Sequence, residues 1–364
     1  METERVNMRL PILDLRGSPY DVGYEHGRKL KIAIHEICEK RLELLTAPPD
    51  LGRAVDAAEI MEMGERVWDM HEEYDSDLAR ELLGIADGAE TDPIELLLMN
   101  GYTDFVNLVH DRLSAPECTA FWTGRDVTSE AMAYIGQTWD MDASARPYAI
   151  ALRLYPAEGP AALLLSISGG LGLAGVNEAG IAVVINNLIP TDARDGVNFP
   201  FLVRKALKQI TLESAVRSLL QATRCSGHNY LVADTMGRAV NVETTATQAS
   251  ITLLEKGFYV HTNHYLSPKL RALEKAQPVQ SMLSSVTRWQ RMRALLSDQR
   301  GHIDPPKLQS VTADHENGVN AICRHAQSME DSATCAATII SPQEGKMWAV
   351  EGNPCEGRYE LFEL

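Results

Sequence analysis

Along the first third of the chain, apolar residues recur at intervals of three and four. Ile32, Ile34, Ile37, Cys38 and Leu42 predict a one-sided helix over roughly Arg28 to Leu45. Ile60, Met61, Val67, Trp68, Leu78, Leu82 and Leu83 continue this spacing through a stretch from Val55 to Glu95, where acidic residues outnumber basic ones 14 to 2. That excess reads as a solvated helix face. A break at Gly84 to Asp92 precedes another expected helix, Pro93 to about His110, with proline in the first turn, where its missing donor costs little.

At Ala115-Pro116-Glu117-Cys118-Thr119-Ala120-Phe121 the pattern changes. Proline disfavours helix at the residue before it, and Thr119 to Thr123 reads as the opening of a strand. Short alternating or apolar runs follow at Ala131 to Ile135, Tyr148 to Leu154, Ala161 to Ile167, Ile181 to Ile185 and Tyr230 to Ala233. Their hairpin-like spacing favours antiparallel sheets. Helical patterns interrupt them at Phe201 to Lys208, Leu212 to Ala222 and Val286 to Leu296, and Ala333 to Leu364 reverts to strands. With no internal repeat or linker in view, helices and sheets are expected to share one layered core.

Composition narrows the class. A chain of 364 residues with 45% hydrophobic and 23% charged residues supports a sizeable globular core, and no apolar run reaches the roughly 18 residues of a membrane helix. A net charge of -16 argues against phosphate backbones, so neither nucleic acid nor a membrane is expected as a partner. The charged start Met1-Glu2-Thr3-Glu4-Arg5 has no apolar segment behind it, and the six cysteines, at 38, 118, 225, 323, 335 and 355, show no repeated spacing. Both features point to a cytoplasmic protein with reduced thiols.

Cys118, a thiol at the first residue of a strand, is a candidate nucleophile. Two other patterns compete for attention. Gly170-x-Gly172-x-x-Gly175 matches a dinucleotide fingerprint in its letters, but Val176 to Ile181 reads as a turn between strands and not as the helix a pyrophosphate needs. Cys225-x-x-His228 and His261-x-x-His264 offer zinc-type donors, yet residues three apart in a strand point to opposite faces, so the histidines converge only where a turn intervenes.

Several short segments, in order, resemble the acyl-coenzyme A:6-aminopenicillanate acyltransferases and their bacterial relatives, which are N-terminal-nucleophile enzymes. They are Gly17-Ser18-Pro19-Tyr20-Asp21-Val22-Gly23-Tyr24-Glu25-His26-Gly27, Gly84-Ile85-Ala86-Asp87-Gly88-Ala89, Cys118-Thr119 and Gly136-Gln137-Thr138-Trp139-Asp140. Gly175-Val176-Asn177-Glu178-Ala179-Gly180-Ile181-Ala182-Val183, His261-Thr262-Asn263-His264, Arg288-Trp289-Gln290-Arg291-Met292 and Ile322-Cys323-Arg324 complete the set. The resemblance implies an α+β fold, a four-layer αββα sandwich of mostly antiparallel sheets. It also implies self-cleavage between Glu117 and Cys118, leaving a helical segment 1–117 and a nucleophile-bearing segment 118–364 that stay together as one structural domain.

In that scheme the freed α-amine of Cys118, with an ordinary pKa of about 7.7 to 8.0, takes the thiol proton. Asp140 matches the family carboxylate beside the nucleophile. Asn263 matches the asparagine that donates to the tetrahedral oxyanion. Asn187, or its neighbour Asn186, aligns with the second oxyanion position that related bile-salt and penicillin V hydrolases also fill. Arg324 matches an arginine near the thiol, able to bind Asp140 or a substrate carboxylate. Glu117 departs from the glycine that precedes the nucleophile in the fungal enzyme, and Ala120 replaces a hydroxyl residue. The expected activity is an amidohydrolase or N-acyltransferase working through a Cys118 thioester, with no metal or redox cofactor and with an acyl-coenzyme A thioester as one available donor. The alternatives are a hydrolase of N-acyl amino acids, small peptides or lactams, and a non-catalytic binding protein that keeps the fold.

Overall fold

The computed structural model describes residues 9–46, 54–109, 117–329 and 331–364. Ala115 and Pro116, with the expected helix end at His110, lie outside the described residues. Two sheets face each other. The larger runs, in spatial order, Ile12–Gly17, Ala149–Pro156, Ala162–Ile167, Ala174–Asn177, Ala182–Leu188, Gly227–Ala233, Ala239–Thr244 and Ala249–Leu254. The smaller runs Phe258–His261, Cys118–Thr123, Tyr134–Asp142, Ser332–Ser341, Lys346–Glu351 and Glu360–Glu363. Neighbouring strands are antiparallel except Ile12–Gly17, which pairs in parallel with Ala149–Pro156. Helices Pro19–Thr46, Phe199–Leu207 and Leu212–Gln221 cover the larger sheet, while Val279–Asp298 and Pro305–Thr312 cover the smaller. The result is the α+β sandwich of four layers.

Burial on both faces explains the composition of the strands. All six residues of Cys118–Thr123 and all seven of Ala182–Leu188 are buried, so neither strand alternates cleanly between apolar and polar, as expected of a sheet packed on both sides. The strand Ile12–Gly17 was not anticipated, although Leu13 and Leu15 alternate with exposed Asp14 and Arg16. It carries the N-terminal segment into the larger sheet.

The long acidic stretch folds into helices Ala57–Tyr74 and Ser76–Ala89, each opened by an aspartate whose side chain accepts a backbone N–H, Asp56 from Ala58 and Asp75 from Leu78. Helix therefore runs through Gly84, where a break was expected. The reason lies in packing: helices Pro19–Thr46 and Ser76–Ala89 cross at glycines. A Cβ on Gly23 or Gly27 would stand 2.0 Å or 2.2 Å from the carbonyl oxygens of Glu81 and Ile85, and one on Gly84 or Gly88 would meet those of Tyr20 and Tyr24 at 2.3 Å and 2.2 Å. Pro93 opens a helix as expected, capped by Asp92, but Gly101 divides the segment into Pro93–Asn100 and Tyr102–Val109.

Gly170 and Gly172 lie in the turn between antiparallel strands Ala162–Ile167 and Ala174–Asn177 and Gly175 lies in the second strand, so no helix opens after these glycines. The remaining expected strands and helices are present with boundaries shifted by a few residues. The largest shifts are in the helix read as Arg28 to Leu45, which begins at Pro19, in the one read as Val286 to Leu296, which extends over Val279–Asp298, and in the strand read as Ala131 to Ile135, which runs Tyr134–Asp142.

Candidate active site

Cys118 begins the second strand of the smaller sheet and is 4% exposed. Its backbone is held from three directions. The N–H donates to Oδ1 of Asn263 at 2.8 Å, and the carbonyl oxygen accepts from Nη1 of Arg288 at 2.7 Å and from Nδ2 of Asn186 at 3.1 Å. Immediately before it, the Glu117 carbonyl oxygen accepts the backbone N–H of Asp140 at 2.9 Å. The Glu117–Cys118 peptide is thus gripped at both its oxygen and its nitrogen. Burial, and next the charge of Asp140, push the Cys118 thiol up to about 12.

Arg288 has no exposure and contacts both residues of the Glu117–Cys118 peptide. Besides Cys118 O, Nη1 donates to Thr119 Oγ1 at 2.9 Å, and Nη2 donates to Glu117 Oε2 at 2.9 Å and to Asn263 Oδ1 at 3.0 Å. The same carboxylate oxygen of Glu117 accepts Ser284 Oγ at 2.6 Å and is ion-paired with Nη1 of Arg324. The charge of Glu117 is buried against two guanidinium groups and a hydroxyl.

Asp140 is fully buried in the strand beside Cys118–Thr123. Its Oδ1 accepts Thr334 Oγ1 at 2.8 Å, while Oδ2 has no hydrogen-bond partner among the described residues. Burial raises its pKa to about 6, with Arg288 and Arg324 opposing. The register between Tyr134–Asp142 and Ser332–Ser341 shifts between Thr334 and Ala336, and this bulge lies directly opposite Asp140. Thr334 Oγ1 also accepts the backbone N–H of Arg324 at 2.9 Å, linking the two predicted residues through one hydroxyl.

Asn263 meets Cys118, but through its acceptor. Its amide Nδ2 donates to the Asn187 carbonyl oxygen at 3.1 Å, so in this uncleaved arrangement it positions the Cys118 nitrogen. Asn186 and Asn187 are adjacent on Ala182–Leu188 and project to opposite faces. Asn186 touches Cys118, whereas both polar atoms of the buried Asn187 side chain lack a partner among the described residues.

Sequence reading named Cys118, Asp140, Asn187, Asn263 and Arg324, and missed the roles of Arg288, Ser284, Thr334 and the side chain of Glu117. A signal for Arg288 was present. Ser281, Ser284, Ser285, Arg288, Met292 and Leu296 are the buried face of helix Val279–Asp298, and an arginine on a stripe of small and apolar residues demands an anionic or carbonyl partner. The weighed zinc donors do not assemble: His228 lies against Asp104 at 3.6 Å, and His261 is occupied at Nε2 by Glu243 at 2.9 Å and at Nδ1 by Thr262 O at 2.7 Å.

Residues 127–356 match the family described as acyl-coenzyme A:6-aminopenicillanic acid acyl-transferase. The chain belongs to this family. Among individual relatives, it is similar to the acyl-coenzyme A:6-aminopenicillanic-acid-acyltransferase 40 kDa form of Emericella nidulans, at 24% identity over 347 residues, 93% of this chain and 92% of that one. An uncharacterized protein of Archaeoglobus fulgidus is 22% identical over 340 residues, covering 81% of this chain and 56% of its own length. Of solved structures, penicillin V acylase from Agrobacterium tumefaciens superposes with a TM-score of 0.41 and 13% identity over 64% of this chain and 83% of that one. A mutant of conjugated bile acid hydrolase from Clostridium perfringens gives 0.42 and 10% over 68% and 97%.

Membership in the acyl-transferase family places the chain among enzymes that move acyl groups. The matched segment contains Asp140, Asn186, Asn187, Asn263, Arg288 and Arg324 and begins after Cys118. Among the described residues, no helix is long and apolar enough to cross a membrane.

Proposed function

We propose that this acyl-transferase family member is a self-processing cysteine amidohydrolase or N-acyltransferase. The observation that carries the reading is the grip on the Glu117–Cys118 peptide. Asp140 N–H faces the carbonyl oxygen on which charge would develop, Asn263 holds the nitrogen, and the thiol belongs to the residue itself. In the first step the Cys118 thiol gives up its proton to the open Oδ2 of Asp140, and Sγ attacks the Glu117 carbonyl carbon. The carbon–nitrogen bond breaks as the nitrogen takes a proton, leaving a thioester. Water then attacks that ester, restoring the thiol and ending the first fragment in a carboxylate at Glu117. The two fragments remain one domain, because the core cluster includes Ile34, Leu82 and Leu97 on one side of the cut and Leu152, Val184 and Leu231 on the other.

Cys118 then carries its own base. The free α-amine, near pKa 8 when unperturbed, accepts the thiol proton, where the uncleaved thiol is pushed up to about 12. Sγ attacks the carbonyl of an amide or of an acyl thioester such as acyl-coenzyme A. The leaving amine or thiol departs protonated, and water or an acceptor amine releases the acyl group. A substrate or acceptor carboxylate that takes the place of the Glu117 side chain would meet Arg288 and Arg324 together, which favours partners carrying a carboxylate.

Intact-mass spectrometry of the purified chain tests this. Two fragments, ending at Glu117 and beginning at Cys118, are expected, with Cys118→Ala remaining a single chain. A wild-type chain that stays intact while showing full amidase activity contradicts the assignment, since the α-amine base would not exist.

A further inference from the structure

Away from Cys118, two surface segments bring nitrogen and sulfur donors together in two overlapping triads. One is the loop from Ala313 to His325, after helix Pro305–Thr312. The other is the turn at Asn353 to Gly357, closed by the N–H groups of Glu356 and Gly357 donating to Asn353 O at 3.0 Å and 2.9 Å. His325 Nε2 lies 3.1 Å from Cys355 Sγ and 3.9 Å from Cys323 Sγ, and the two sulfurs are 3.5 Å apart. The donor atoms of His315, His325 and Cys355 all fall within 4.8 Å of one another, a group that shares His325 and Cys355 with the Cys323 triangle but does not itself include Cys323. A tetrahedral zinc ion with Zn–N of about 2.0–2.1 Å and Zn–S of about 2.3 Å sets its ligands roughly 3.3–3.8 Å apart. The Cys323–His325–Cys355 triangle is close to that size.

The surroundings carry a second, independent sign. A ligating histidine turns its other nitrogen to an oxygen acceptor, which fixes the ring and frees one nitrogen for the metal. His315 does so here, with Nδ1 facing Ala313 O at 3.2 Å, while Nδ1 of His325 lies 3.7 Å from Glu356 Oε1, beyond hydrogen-bond length. Cys323 Sγ accepts Nδ2 of Asn353 at 3.4 Å, and its backbone N–H is tied to Asp314 O at 2.8 Å, so the sulfur is held by both segments.

We propose that Cys323, His325 and Cys355, with His315 as fourth ligand, form a structural zinc site. Two thiolates and two imidazoles select zinc over calcium or magnesium, which take oxygen ligands. Binding releases the thiol protons to solvent and ties the C-terminal turn to the loop. That loop matters to the active site because Cys323 and His325 flank Arg324, whose guanidinium pairs with Glu117. The ion would fix the backbone on which that arginine stands without touching the reacting atoms.

Cobalt(II) titration of the full chain, reduced and stripped with a chelator, tests the site. One equivalent should bind, with a thiolate-to-cobalt charge-transfer band and the strong visible bands of tetrahedral cobalt, and zinc should displace it. Cys355→Ser, at an exposed position, should abolish the charge-transfer intensity of its sulfur and weaken binding, and the exposed His315→Ala should lower affinity by about tenfold or more. Circular dichroism checks that both variants fold. Unchanged cobalt affinity in both variants, or no thiolate band in the wild type, overturns the proposal. So does peptide mapping that finds Cys323 and Cys355 joined as a disulfide in protein made in a reducing cytoplasm.

Discussion

The backbone N–H of Cys118 donates to the side-chain oxygen of Asn263 at 2.8 Å, and Arg288 donates to that same oxygen at 3.0 Å. Asn263 thus orients the nitrogen that becomes an amine on cleavage. Asn263→Ala should slow both self-cleavage and, on chains already cleaved, single-turnover acyl transfer, by about a hundredfold. Asn263→Asp keeps an acceptor toward Cys118 and should cleave faster than the alanine variant. Near-normal rates in processed Asn263→Ala would make this residue structural.

Arg288 and Glu117 form a buried ion pair, and removing one partner of such a pair typically costs about 3–5 kcal/mol because the other charge is left in a poor environment. Arg324 still contacts Glu117, which should keep the loss for Arg288→Ala toward the lower end. In the uncleaved Cys118→Ala background, urea unfolding should show that loss, and adding Glu117→Gln should restore part of it. Additive effects of the two changes would show that the pair is not coupled.

Asp140 titrates near 6 instead of near its ordinary 3.8, raised chiefly by burial. Its ionised form is the one able to accept the Cys118 proton, so self-cleavage should quicken as pH rises toward 6 and level off above it. Below that value the rate should fall about tenfold per pH unit. Refolding the chain into buffers on either side of pH 6 and following fragment appearance measures the limb. Asp140→Asn should cleave slowly at every pH, and a variant that keeps the wild-type limb would assign it to another group.

The helix crossing leaves no room for a side chain. Gly27→Ala would force a methyl group to within 2.2 Å of the Ile85 carbonyl oxygen, a contact with backbone that no rotamer change relieves. Overpacking of this kind costs about 1–3 kcal/mol, measurable by urea denaturation in the uncleaved background. Gly84→Ala, 2.3 Å from the Tyr20 carbonyl oxygen, should behave alike.

Much of this protein was legible in one dimension because the relevant signals are local. Apolar spacing marked the helix Pro19–Thr46 and the strands Ala149–Pro156 and Ala162–Ile167, and Pro116 marked the change of texture just before the strand at Cys118. Short ordered segments carried the family and named Cys118, Asp140, Asn263 and Arg324 as neighbours, and these residues or their immediate partners do meet. The gap between Gly84 as an expected break and Gly84 inside a helix shows the limit: glycine looks like a turn residue until a second helix needs its missing Cβ. Arg288 shows the same limit in the site. It lies 170 residues from the Cys118 carbonyl it holds and 171 from Glu117, and periodicity reports only which face of its helix is buried. What that face is buried against was decided by the stacking of helix Val279–Asp298 on the smaller sheet. Likewise, the alternation of a strand says that Asn186 and Asn187 point opposite ways, but the facing sheet determines which of them meets Cys118.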